Sequence, residues 1–166
     1  MCILWIVFFN DPQNASQNSY GDSILIIESH VDVSLPSVGT GKCMLGVQMQ
    51  WLSQRLATYD GKLWWSPLKT PLSAEAITAM QTWLRHMEAQ QIPYDFTQAI
   101  EVGVAAFTHT TLKHLADYSA LFCSELVTVA LQLAGVLDQE INASAQTPAD
   151  VMQFPCLQPP IAIQIE

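Results

Sequence analysis

The stretch ALFCSELVTVALQLAGVL (residues 120–137) decides how the rest of the chain is read. Its few polar side chains, Ser124, Thr128 and Gln132, recur at i, i+4 and i+8, so they fall on one stripe of a helix. The remaining positions are apolar, which predicts a helix buried on most of its sides, with Gly135 near its C-terminus. Asp117 or Ser119 is suited to cap it, and either cap places Cys123 in the first turn or just beyond. A thiol there lies at the positive end of the helix dipole, close to free N–H groups that favour the thiolate. The same thiol also reads as a small buried hydrophobe, the usual lot of a free cysteine in an apolar helix.

Upstream, the periodicity is that of strands. Residues 2–9 and 23–29 are short apolar runs separated by the turn-rich segment NDPQNASQNSYGD. In residues 45–51, Val47, Met49 and Trp51 alternate with Gln48 and Gln50, a half-buried strand. Residues 62–66 form another strand, stopped by Pro67, and SQRLATYDGK between them carries a short helical turn. Helices then follow. Ser73 caps a helix with Ile77, Met80, Leu84 and Met87 at helical spacing, and residues 94–107 read as a second helix weakened by Gly103. After residue 137, TPADV suggests a single helical turn with Pro148 at its first position, and IAIQI a last strand. Strands first and helices second, with short links between strands, favour an α+β fold with a small antiparallel sheet packed against the cysteine-bearing helix.

Composition narrows the function. The chain has 166 residues, 50% hydrophobic and 13% charged, which is ample for one packed domain. Its net charge is −9 and its six Lys and Arg are scattered singly, so no basic stripe exists for nucleic acid or for an anionic membrane surface. Cys2, Cys43, Cys123 and Cys156 make no CxxC pair, and His109 and His114, five apart in HTTLKH, do not share a helical face; a metal site is not expected, nor any cofactor. The opening MCILWIVFF is too short to span a bilayer, which takes about 20 residues. It also lacks the basic region and cleavage site of a secretory signal, which makes the cytoplasm the default expectation.

FCSELVTVALQLAGVL followed by TPADV resembles the C-terminal signature of the circularly permuted papain-like cysteine hydrolases related to NlpC/P60, the YiiX/YaeF-like group. LIIES, GVQMQWLSQRLATYDGKLWWSPL and PYDF follow one another in an order similar to that of its members, so the resemblance covers nearly the whole chain. It implies one permuted papain-like domain over residues 1–166, without a counterpart of the family's first GDI-type strand. It also implies a thiol hydrolase or acyl-transfer enzyme acting on amide or ester bonds of a small molecule, a peptide or a lipid. Cys123 takes the place of the nucleophile, and Glu28 that of the polar residue that orients the imidazole. Taken without the resemblance, Glu28 reads as a solvated carboxylate at a strand end. Leu4, or a residue close to it, stands where the family histidine belongs, so the triad is incomplete. His30, two residues past Glu28, is the best substitute base, since i and i+2 share a face if the strand continues, although the plainer reading is a loop histidine. His86, His109 and His114 read as surface or loop histidines. A cysteine without an imidazole has nothing to reprotonate a leaving group, so the alternative is a non-catalytic binding domain or degenerate member of the family.

Overall fold

The computed structural model describes residues 24–95 and 122–163, and the backbone of residues 6–9. Strands β1 (Ile6–Phe9), β2 (Ile24–His30) and β3 (Gly46–Trp51) form an antiparallel sheet in the order β1-β2-β3. Ile6 lies opposite Ile27, and Glu28 lies opposite Gln48. Side chains alternate across a strand. Leu25 and Ile27 of β2, with Val47, Met49 and Trp51 of β3, therefore line one face, and all five are buried in a single core cluster.

Two helices cover that face. Helix α2 (Ala74–Ala89) begins at Ser73, whose Oγ accepts from the Ala76 N–H at 3.2 Å, and contributes Met80, Leu84 and Met87. Ile77, in its first turn, stays exposed. Helix α3 (Cys123–Leu133) contributes Leu126 and Ala130. Its opposite flank, with Val127 and Leu131, packs on Val151 and Phe154 in a second cluster. Ser124 and Thr128 of the polar stripe are buried as well: the Ser124 hydroxyl donates to the Gln146 carbonyl, and that of Thr128 to the Ser124 carbonyl, each at 2.7 Å. Val151 belongs to the short helix α4 (Pro148–Val151), held by a reciprocal capping box between Thr147 and Asp150.

Helix α3 is shorter at both ends than the apolar run that predicts it. Its N-cap is Phe122, with no side-chain bond, rather than Asp117 or Ser119, which lie outside the described residues. At the other end, Gly135 adopts φ +70°, and the N–H groups of Gly135 and Val136 turn back onto the carbonyls of Gln132 and Leu131. That left-handed residue stops the helix although Val136 and Leu137 continue the apolar pattern.

The strand expected over residues 62–66 does not join the main sheet. It is β4 (Leu63–Trp65), and among the described residues it pairs with β5 (Ile161–Ile163), the strand read from IAIQI. The outer edge of β3 is already used: Val47 N–H donates to the Ile92 carbonyl at 2.9 Å, Met49 N–H to Ser37 Oγ at 2.9 Å, and Met49 O accepts from Val38 N–H at 2.8 Å. Helix α1 (Leu52–Thr58) follows β3 directly and carries the chain away. The architecture is α+β with two small antiparallel sheets. Of the helix expected over residues 94–107, Tyr94 and Asp95 are not helical, and the rest lies outside the described residues.

Candidate functional site

Cys123 is the first residue of α3. The Leu126 N–H bonds to the Phe122 carbonyl at 3.1 Å, so the helical ladder starts one residue before the thiol. The side chain is 6% exposed and lies in the cluster of Val127, Leu131, Leu137, Val151 and Phe154. Tyr94 lies near enough to sense it. Burial, then a negative charge on Cys123, then Asp95, hold the Tyr94 phenol above its ordinary value.

Glu28 is elsewhere. Because Leu25 and Ile27 face α3, alternation along β2 turns Ile26, Glu28 and His30 to the opposite face of the sheet. Glu28 and Cys123 thus lie on opposite sides of β2 and not around one cleft. The polar residue that β2 presents on the α3 side is Ser29, fully buried. Nor is Glu28 a solvated carboxylate at a strand end. It is wholly buried, and Arg55 of α1 meets it, with Nε 3.1 Å from Oε1 and 3.2 Å from Oε2. A carboxylate so deeply buried requires such a partner.

Arg55 ties three acceptors together. Besides Glu28, its Nη1 reaches Asp32 Oδ2 at 2.7 Å and its Nη2 reaches His30 Nδ1 at 2.9 Å. His30 Nδ1 also accepts the Asp32 backbone N–H at 3.0 Å. A ring nitrogen that accepts carries no proton, so the neutral ring is protonated at Nε2. Burial, then the Arg55 charge, lower the His30 pKa from 6.5 to about 4, with Asp32 opposing. Asp32 is itself lowered to about 2, chiefly by its bond to Arg55. His30, read as a loop histidine and substitute base, is instead a buried strand residue. Its one lone pair is taken, and it lies on the face away from α3.

The remaining side chains on this face are bonded too. Gln48 Nε2 donates to the Asp32 carbonyl at 3.1 Å, and Gln50 Nε2 to Gln48 Oε1 at 3.1 Å. Both glutamines are 1% exposed, where alternation suggested a solvated side. Arg55 and Asp32 were missed in the sequence reading. The available signal was a single arginine within the apolar-rich QWLSQRLA, in a chain with only six cations.

His86 is exposed on α2, as read. Leu4, Cys2, His109 and His114 lie outside the described residues. Cys43 is exposed, and burial pushes the Cys156 thiol up. Among the described residues no three His, Cys, Asp or Glu side chains are grouped to hold a metal ion, and no helix is long and apolar enough to cross a membrane. Comparison with protein-family models, with curated proteins and with solved structures gives no match.

Proposed function

We propose that the chain is a thiol-dependent hydrolase or acyl-transfer domain of the permuted papain-like kind, with Cys123 as its nucleophile and acylation as the chemistry it retains. The observation that carries this reading is the position of Cys123. It is the first residue of an 11-residue helix packed on an antiparallel sheet, where the first-turn N–H groups and the helix dipole favour a thiolate. Those N–H groups are also suited to hold a developing oxyanion. The thiolate attacks an acyl carbonyl, a C–S bond forms, and the C–O bond to the leaving group breaks as that group departs with the electron pair. An activated ester needs no acid for this step. An amide does, and a positioned acid or base typically contributes about 10²–10⁴-fold. With Leu4 in the place of the family histidine, the resemblance implies that amides turn over slowly and that the acyl-enzyme persists.

The alternative, a non-catalytic binding domain, is favoured by the burial of Glu28 against Arg55, which commits the carboxylate to an ion pair. One experiment separates the two. The protein is mixed with p-nitrophenyl acetate, and the burst of p-nitrophenolate and the acylated peptide are measured. The expected result is a single-turnover burst with the acetyl group on Cys123, absent in Cys123→Ala. Introducing Leu4→His should convert the burst into turnover. Acylation shared equally by Cys43 and Cys156, or no burst at all, favours the binding domain.

A further inference from the structure

His30 has a bonding pattern that tolerates only one protonation state. Its Nδ1 is the acceptor for two donors, the Asp32 N–H and the Arg55 guanidinium, while its Nε2 is buried with no hydrogen-bond partner among the described residues. The segment that follows hangs on the same contacts. The Asp32 carboxylate is bound by Arg55, its carbonyl by Gln48, and the Leu35 carbonyl accepts from Gln50 at 3.4 Å. We propose that His30 is a proton-sensitive latch: while its Nδ1 is unprotonated it pins the 31–36 loop to the polar face of β2–β3, and a proton on Nδ1 releases that loop.

The geometry dictates the direction. Protonation replaces the Nδ1 lone pair with an N–H that points at two donors, one of them a cation. Both bonds are lost and the ring becomes a second positive charge beside Arg55. Among the described residues, the charged groups facing the ring are Asp32 from the loop and Arg55 from α1, with Glu28 of β2 behind Arg55. Strand β3 offers Gly46 opposite His30 and the uncharged Gln48. Among the described residues, Asp32 favours the charged ring, and Arg55 already holds it.

The pH window follows from linkage. The ring has a pKa of about 4 in the latched state, against 6.5 when free. A group whose pKa is depressed in the closed form stabilises that form fully above its free pKa. That stabilisation is lost as pH falls from 6.5 to about 4. The loop-opening constant therefore rises by up to about tenfold per pH unit within the window. Asp32, lowered from 3.8 to about 2 while Arg55 holds it, adds its own release only at about pH 4 and below, so the window above pH 4 reports His30.

The test uses the intact protein. Amide hydrogen exchange of residues 31–35, corrected for intrinsic rates, is followed from pH 7 to 3.5, alongside ¹⁵N spectra of the His30 ring. The expected result is a ring carrying its proton on Nε2 at pH 7, with Asp32 protection falling by about tenfold per pH unit between 6.5 and 4 while the β2–β3 ladder stays protected. The variant His30→Asn places an oxygen near the Nδ1 position without a titratable group, and its loop protection should be flat across the window. The proposal is overturned if the ring is protonated on Nδ1 at pH 7, if wild-type loop protection does not change, if loop and ladder open together, or if His30→Asn shows the same acid release. Should His30→Asn not fold, the ring spectra and the exchange profile of the native chain decide alone.

Discussion

Replacing Arg55 with methionine should be among the costliest single changes in this protein. The methionine keeps most of the apolar stem, so packing is largely preserved. What is lost is the guanidinium, the ion-pair partner of the wholly buried Glu28. Breaking a buried pair from one side costs about 3–5 kcal/mol. Asp32 is about a third exposed, so its bond to Arg55 adds little beyond this. With a slope of about 2–3 kcal/mol per M, the urea midpoint should fall by about 1–2 M. Glu28→Gln should cost less, because Arg55 then still has Asp32 and its charge remains balanced. The double variant should cost less than the sum of the two, since neither side leaves a buried charge alone. Urea denaturation of the four proteins at pH 7, followed by circular dichroism, gives the cycle. A midpoint shift in Arg55→Met below about 0.3 M with an unchanged slope would falsify the account, because Glu28 would then be tolerated uncompensated. A second readout is independent of stability: without the Arg55 charge, the His30 pKa should rise from about 4.

Other expectations are as specific. Gly46 adopts φ +127°, and an added Cβ would run into the Ile92 carbonyl that accepts from Val47, so Gly46→Ala should destabilise by about 3 kcal/mol or more, read as a lost thermal midpoint. Gly39→Ala meets the Glu88 carboxylate at 2.5–2.8 Å, and that carboxylate is held by Ser37 and the Thr40 N–H; a cost of about 1–3 kcal/mol should show in urea. Leu84→Ala opens a cavity in the core between α2 and the sheet and should cost about 2–5 kcal/mol by the same assay. Thr147→Ala removes the hydroxyl side of the α4 capping box, leaving the bond from its backbone N–H to Asp150, and should cost about 1 kcal/mol, with no effect on acylation of Cys123.

The elements with a strong period were legible in the sequence. Val47 and Met49, and Met80, Leu84 and Met87 fall where their spacing put them, because burial on one face is the force that creates such spacing. Alternation names two sides without saying what lies on either. Gln48 and Gln50 looked solvated, yet they are buried because a hydrogen-bonded layer of Arg55, Asp32 and the 31–36 loop covers them. That layer joins Glu28 to a partner 27 residues away, a pairing with no periodic signature. The end of α3 escaped for a different reason. The apolar run continues through Leu137, and only the left-handed turn at Gly135 marks the stop. The separation of β4 from the main sheet depended on which groups take the free edge of β3, and loops rather than strands take it. For the site, the position of Cys123 at a helix start was legible. The side of the sheet on which Glu28 falls was not, since a shift of one residue exchanges it with Ser29.

The α3 helix is made late and needed early. By the time Trp51 has left the ribosome, β2 and β3 can pair, and their apolar face of Leu25, Ile27, Val47, Met49 and Trp51 is open to solvent. Helix α2 covers part of it some 30 residues on, but Leu126 and Ala130 follow only roughly 75 residues after Trp51. At about 5–20 residues per second, the nascent hairpin waits about 4–15 s for its second cover. That interval is far longer than the microseconds in which the hairpin itself forms. During synthesis the chain therefore carries an apolar, half-clad sheet for seconds before α3 can close over it.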